Sequence, residues 1–204
     1  MARRTDQPDR RELLLDETLA IVAEGGLAAV THRAVERAAG VPHGSVTYHF
    51  GTRDDLIDAL VERMVATCAA QVSQIAHSVS MALAAPAARG AGEGLDVDAV
   101  TRALIAWMDG TRQLQLARLE LELAGARDPR LGRRMTDAAR IFWRMCEPIV
   151  LAMGSTDPEL DARAMSAAID GLLLDHLAHE PVDPAVVRVG VRQLLRSWAP
   201  GPGA

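Results

Sequence analysis

Residues 31–50, THRAVERAAGVPHGSVTYHF, read as two short helices joined at Ala39-Gly40-Val41. Thr31 is a good N-cap, because its hydroxyl can accept a hydrogen bond from a free backbone N–H of the first turn. Ala34, Val35 and Ala38 follow at helical spacing and face inward. Gly40 can close this helix with a positive φ, and Val41 can plug the gap between the two helices. Small residues inside, a glycine at the turn and a polar second helix make the pattern of a helix-turn-helix. In the second helix, His43, Ser45 and Thr47 offer short polar groups able to reach base edges, while Tyr48 and His49 can donate to phosphate oxygens. Gly44 lets the backbone approach another surface closely. The only tyrosine and one of the two phenylalanines fall in Tyr48-His49-Phe50. In a chain with 3% aromatic residues that concentration marks a special surface, with Phe50 as the part that packs inward.

Outward from this stretch the periodicity stays helical. Residues 9–24 form a first helix with Leu13, Leu14, Leu19, Ile21 and Val22 on its apolar face, stopped by Gly25-Gly26. A long helix opens near Thr52, its apolar stripe running through Leu56, Ile57, Leu60, Val61, Met64, Val65, Cys68, Val72 and Ile75. Residues 84–94, with Pro86, Gly90, Gly92 and Gly94, break the pattern and read as a linker. Helical stretches follow at about 97–108, 111–125, 130–153, 158–179 and 184–198. Gly110, Asp128-Pro129, Gly154 with Asp157-Pro158, and Pro181 to Pro184 mark the joints. Residues 200–203 read as a frayed tail. The expected fold is all-α: a three-helix head, a connecting long helix and a C-terminal bundle, with domains at 1–53 and 54–204.

The composition agrees. Apolar residues make up 49% of the 204, enough for a sizeable core. No run approaches the roughly 18 apolar residues of a membrane-spanning helix, and the basic N-terminus leads into no signal-peptide core, so a cytoplasmic protein is expected. Cys68 and Cys146 sit in apolar helical patterns and read as buried thiols, with neither a disulfide framework nor a zinc site. The net charge of −5 weighs against a nucleic-acid binder, and residues 1–56 hold seven arginines against nine acids. Phosphate contacts are local, however, because distant charges are screened beyond about 10 Å. Between residues 31 and 53 the balance is Arg33, Arg37 and Arg53 against Glu36, with histidines nearby, which adds Arg33 to the candidate DNA contacts.

The order Thr31, Val35, Ala39-Gly40-Val41, Gly44-Ser45-Val46, His49-Phe50 and Arg53 resembles the signature of the TetR family of transcriptional regulators, over about a quarter of the chain, residues 10–57. The resemblance implies a recognition helix over about residues 42–50 lying in a DNA major groove. Thr31, Tyr48, His49 and Arg53 would then hold phosphates, and His43, Gly44, Ser45 and Thr47 would face base edges. Three positions depart from the family pattern. Pro42 stands where a capping Ser or Thr is frequent, and is acceptable at a first helical position. Thr47 stands where many members have tyrosine. Arg53 stands in place of the usual lysine, keeping the charge though not the geometry.

For the body, the resemblance implies a homodimer built from the last two long helices. Here these carry Ala164, Ala167, Ala168, Gly171 and Leu172, then Val187, Val191, Leu194 and Leu195; the same small-residue pattern would also serve packing within the chain. An effector site is expected where polarisable side chains meet isolated polar groups: Trp107, Met108, Phe142, Met145 and Cys146 with Arg118 and His176. The bland alternative for each is an ordinary core residue. His176 and His179, beside Asp175 and Glu180, read as a solvated face, since no third ligand stands nearby; neither metal nor cofactor is expected. Glu120 and Glu122 are two apart and point to different helix faces. With no phosphate-binding glycine loop, nucleophile elbow or zinc-protease motif, an enzyme is the weakest reading. The expected function is ligand-controlled repression: a homodimer on a palindromic operator, released by a small, largely apolar or aromatic effector. A regulator governed by partner binding without a small ligand is the alternative.

Overall fold

The computed structural model describes residues 9–84, 96–179 and 183–197, with side chains described outside 72–84. The readings of residues 1–8, of 85–94, of Glu180, Pro181 and Trp198 and of the 200–203 tail lie outside the described residues, as do the side chains of Val72 and Ile75. Among the described residues all regular structure is helical: α1 (Arg10–Gly25), a single 3-10 turn (Leu27–Ala29), α2 (His32–Ala38), α3 (Ser45–Phe50), α4 (Arg53–Ala84), α5 (Val97–Gly110), α6 (Arg112–Gly125), α7 (Pro129–Ala152), α8 (Pro158–Ala178) and α9 (Pro184–Ser197). None of these helices is long and apolar enough to cross a membrane.

Local chemistry starts and stops these helices. The Asp9 carboxylate accepts from Arg11 N at 3.1 Å, and Gly26 closes α1 with φ +71°. Asp-Pro opens three helices in the same way. Asp128, Asp157 and Asp183 accept from the N–H groups of Arg130, Leu160 and Ala185, while the following proline takes the first helical position, where no N–H is needed. Thr52 and Asp55 cap α4 reciprocally: Thr52 N and Oγ1 donate to the Asp55 carboxylate, and Asp55 N donates to Thr52 Oγ1.

The chain divides into two compact units. The first runs through Ala66 and adds Gln113–Ala138; the second is Thr67–Arg112 with the chain from Ala139 onward. The unit that holds the helix-turn-helix is thus larger than the 1–53 segment to which the sequence assigns DNA binding. Its buried residues include Leu14, Leu15, Val22, Val35, Val46, Leu56, Leu60, Leu121 and Leu131. Two rows of charge help to hold it. Arg63 on α4 meets Glu12 and Asp16 on α1. Arg130 on α7 meets Asp54 and Asp58 on α4, and Arg134, one turn later, meets Asp58 and Glu62.

In the second unit Cys146, Ile149, Val150, Met153, Ala162 and Met165 form one buried cluster, with Ile169, Leu194 and Leu195 packed against it. Both cysteines are free and buried, as the pattern predicts. On α9, Val187 and Val191 are buried within this same chain. A Cβ built on Gly190 would fall 2.6 Å from Leu172 Cδ2, so α8 and α9 approach closely there. Val187 and Val191, taken from the sequence as dimer contacts, are buried by this chain itself, while Leu172 and Leu194 are half-buried. Ala164, Ala168 and Gly171 remain exposed.

Candidate functional site

The helix-turn-helix is built as the small-residue pattern requires, with one shift in register. Thr31 caps α2, its Oγ1 accepting from Ala34 N at 3.1 Å. Gly40 takes φ +62° at the turn, and Val41 N returns to Glu36 O at 3.0 Å. The second helix begins at Ser45, three residues later than the expected start at Pro42. The cause is Gly44, held at φ +90°, a conformation that an L side chain adopts only under strain and that interrupts any helix begun at Pro42. A Cβ at Gly44 would meet no protein atom within 4 Å, so within the chain it is the backbone angle that calls for glycine.

The residue that sets this register is Glu36, which the charge count treats only as a liability for DNA binding. It is buried, with 4% of its surface exposed. Its Oε1 accepts from Gly44 N at 2.9 Å and Val46 N at 3.1 Å, and its Oε2 lies 2.9 Å from His43 Nδ1. The bond to His43 leads in holding this carboxyl below its ordinary range, burial works against it, and the two backbone N–H groups add to the lowering. No local spacing singles out Glu36, because its partners stand eight and ten residues ahead. A buried acid inside a motif of small residues needs donors, and the next turn supplies them.

The other DNA candidates divide by exposure. Tyr48 is 85% exposed, which rules out packing as the reason for its place. Its ring meets the His49 ring edge-on at 5.0 Å between centroids. Phe50 is half-buried beneath the Arg11 guanidinium. Arg33 and Thr47 are exposed, and Thr47 Oγ1 lies 3.2 Å from His32 Nδ1 across the two helices. Ser45 is half-buried, with its hydroxyl donating to Pro42 O. Arg53 faces the head's own backbone: Nε donates to Val30 O at 2.7 Å and Nη2 to Leu27 O at 2.6 Å. Two of its five donors are thus committed to holding the turn before α2, which leaves the others for the phosphate contact the sequence assigns to it.

The effector candidates are brought together only in part. Arg118 belongs to the first unit, where it bonds Gln115 and Glu122. Trp107, Met108, Phe142, Met145, Cys146 and His176 belong to the second. Met108 is fully buried, and burial pushes the Cys146 thiol up to about 11, with Asp170 adding to the shift. His176 is buried with Nε2 at 2.7 Å from Asp109 Oδ1, while its Nδ1 has no partner. Trp107 Nε1 and Gln71 Oε1 are likewise buried and unpartnered. Gln71 escaped the sequence reading, although it follows Cys68 by three residues on the apolar stripe of α4. His179 turns to its own helix, at Asp175, so it and His176 share no partner.

These features define a helical protein with a DNA-reading helix-turn-helix unit and a second unit whose apolar interior holds unpaired polar atoms. Residues 14–60 match the family described as bacterial regulatory proteins, tetR family, and residues 91–200 match the tetracyclin repressor-like C-terminal domain. The chain belongs to the TetR family of transcriptional regulators, which are DNA-binding factors and not enzymes. Among relatives, the HTH-type transcriptional regulator BetI of Serratia proteamaculans is 26% identical over 173 residues, covering 82% of this chain and 81% of BetI. A TetR-family member from Streptomyces coelicolor is 29% identical at a TM-score of 0.68, covering 92% of this chain and 98% of that one. The multidrug binding protein EbrR, solved with ethidium, is 29% identical at a TM-score of 0.64, covering 93% and 99%.

Proposed function

We propose that this regulator is a cytoplasmic repressor that binds a palindromic operator as a homodimer and is released by a small, largely apolar or aromatic effector held in the second unit. In this reading His43, Gly44, Ser45 and Thr47 face base edges, and Arg33, Tyr48 and His49 reach phosphates. Thr31 does the same, since its oxygen accepts from Ala34 N and leaves the hydroxyl proton free for a phosphate oxygen. Arg53 holds α4 to the backbone before α2 and keeps its other donors for a phosphate. The dimer forms through the exposed residues Ala164, Ala168 and Gly171 of α8.

The effector reading rests chiefly on one observation: Gln71 Oε1, Trp107 Nε1 and His176 Nδ1 are buried without partners in the second unit. An unpaired buried polar group costs about 1 to 3 kcal/mol, and a ligand that pairs with it recovers that cost. An acceptor, a donor and an imidazole nitrogen left unpaired in the second unit suit a ligand that is mostly hydrocarbon or aromatic with a few hydrogen-bonding atoms. EbrR solved with ethidium and with malachite green gives two compounds of that kind to begin with.

Selection from a random duplex library with purified protein, followed by salt titration of the winners, tests the DNA reading. A palindrome with steep salt dependence is expected. Thermal-shift screening with ethidium and malachite green then tests the effector: stabilisation of the native state, lost in Trp107→Phe and His176→Phe, together with release of the selected duplex. Stabilisation without release would leave a binder that does not regulate by this route.

A further inference from the structure

His43 is the exposed polar side chain that leads into α3, with 78% of its side-chain surface open, and it hangs from a carboxylate that is itself buried. An ionised carboxylate has no proton to give. Both Glu36 oxygens accept, Oε1 from Gly44 N and Val46 N and Oε2 from His43. His43 Nδ1 must therefore carry the proton and donate it. This leaves Nε2, which bonds no other described residue, as the outward atom.

We propose that Glu36 sets the base preference of the recognition helix by fixing the tautomer of His43, so that the neutral ring presents Nε2 to DNA as a hydrogen-bond acceptor. The inference rests on the reading of α3 as the base-reading helix and says which base it reads at one position. An acceptor in the major groove matches the exocyclic amino groups, N4 of cytosine or N6 of adenine. When the ring takes up a second proton, Nε2–H becomes a donor and the match passes to guanine O6 and N7, thymine O4 or adenine N7, so cytosine is the base that only the acceptor form reads. Glu36 is thus a positioning residue and His43 the reader.

The other ionisable groups around this turn leave the pair to itself. Arg33 and Arg37 project from α2 and Tyr48 and His49 from α3, and among the described residues none is bonded to His43. His32 is turned to Thr47, and Arg53, at the start of α4, to Leu27 and Val30. His32, whose Nδ1 meets Thr47 Oγ1, and His49 are imidazoles on the same surface, so only a change at the position that His43→Ala abolishes is read as belonging to His43.

Glu36→Gln separates tautomer from structure. The two backbone donors hold the amide oxygen, as they hold Oε1 now, which turns the amide NH2 toward His43. Nδ1 must then accept, the proton moves to Nε2, and the neutral ring presents a donor. The experiment is library selection by full-length wild type, Glu36→Gln and His43→Ala at about pH 8.5, with wild type repeated at about pH 5.5, a range that spans the usual charge change of an imidazole. Wild type at high pH is expected to enrich cytosine or adenine at one position of each half-site. Glu36→Gln at high pH and wild type at low pH are both expected to deplete cytosine at that position by about fivefold or more in favour of guanine, thymine or adenine, with the rest of the site unchanged. His43→Ala is expected to lose the preference there. If all forms enrich one identical site, the tautomer has no part in recognition and the inference fails alone. If none enriches any sequence, the reading of α3 fails with it. Should Glu36→Gln not fold, the two wild-type selections and His43→Ala decide the matter.

Discussion

Arg53 commits Nε and Nη2 to the carbonyls of Val30 and Leu27, and this fixes what its loss does. Hydrogen bonds from a charged group contribute about 1.5 to 3 kcal/mol each, less where solvent competes. With about 2 to 4 kcal/mol lost after that discount, Arg53→Ala is expected to lower Tm by roughly 4 to 16 °C. The salt slope of DNA binding by the folded protein then shows whether its remaining donors also reach a phosphate. A flattened slope at unaltered Tm would give the residue to the phosphate alone. Cys146 gives a second prediction. Its thiol is pushed from the ordinary 9.0 to about 11, so the unfolded chain gives up this proton first as pH rises. The stabilisation is whole below pH 9.0 and is lost as pH climbs toward about 11. Urea unfolding across that window should show the native state losing about 2 to 3 kcal/mol through this group, and Cys146→Ala should lose correspondingly less. At this scale the sequence was legible where a side chain serves its own turn, as Thr31 does in capping α2. It was not legible where Glu36 reaches eight and ten residues ahead, or Arg53 reaches back 23 and 26, because no local pattern announces a partner at that distance.

Helix ends were readable wherever the chain itself supplies the cap. Asp128-Pro129, Asp157-Pro158 and Pro184 after Asp183 mark starts that the structure reproduces, since the carboxylate and the missing N–H act within one turn. The start of α3 was misread because Pro42 satisfies the same rule, and only the positive φ of Gly44 overrides it. Which helices meet was not legible either. Asp54, Asp58 and Glu62 look like a solvated row on α4 until Arg130 and Arg134, about 72 residues on, complete the pairs. Close crossings depend likewise on glycines that look ordinary in sequence, and two of them give a graded test. A Cβ on Gly132 would fall 2.6 Å from the carbonyl oxygen of Gly125, a backbone atom tied into α6. A Cβ on Gly190 would reach 2.6 and 2.7 Å from the two methyls of Leu172 and 3.1 Å from its Cγ, a side chain that can yield only by changing rotamer, whereas a backbone carbonyl cannot. Overpacking costs about 1 to 3 kcal/mol, so Gly132→Ala is expected at the upper end and Gly190→Ala at the lower. Equal losses in denaturant titrations would mean that α6 and α7 can slide apart as freely as a leucine turns.

For the molecule as a whole, the burial of Val187 and Val191 within one chain moves the proposed dimer contact onto what the chain leaves uncovered. On α8 the exposed residues Leu160, Ala164, Ala168, Gly171 and Leu174 follow one another at helical spacing along a single stripe, and on α9 Val186 and Val189 are exposed as well. Small residues let a second backbone come close, and a stripe that pairs with its own copy about a two-fold axis meets every substitution twice. Gly171→Arg would thus bring two guanidinium groups together at the seam, and like charges so placed cost several kcal/mol. Dimerisation should weaken on the order of a hundredfold or more, read by sedimentation. Affinity for a full palindrome should fall toward that for an isolated half-site, because a monomer engages only one. Val187→Ala makes the control: it opens a cavity inside the chain, so it should lower stability by about 1 to 3 kcal/mol while leaving the folded protein dimeric. If Gly171→Arg stays a dimer of full affinity and Val187→Ala dissociates, the partner is gripped through α9, and the uncovered stripe of α8 has another use.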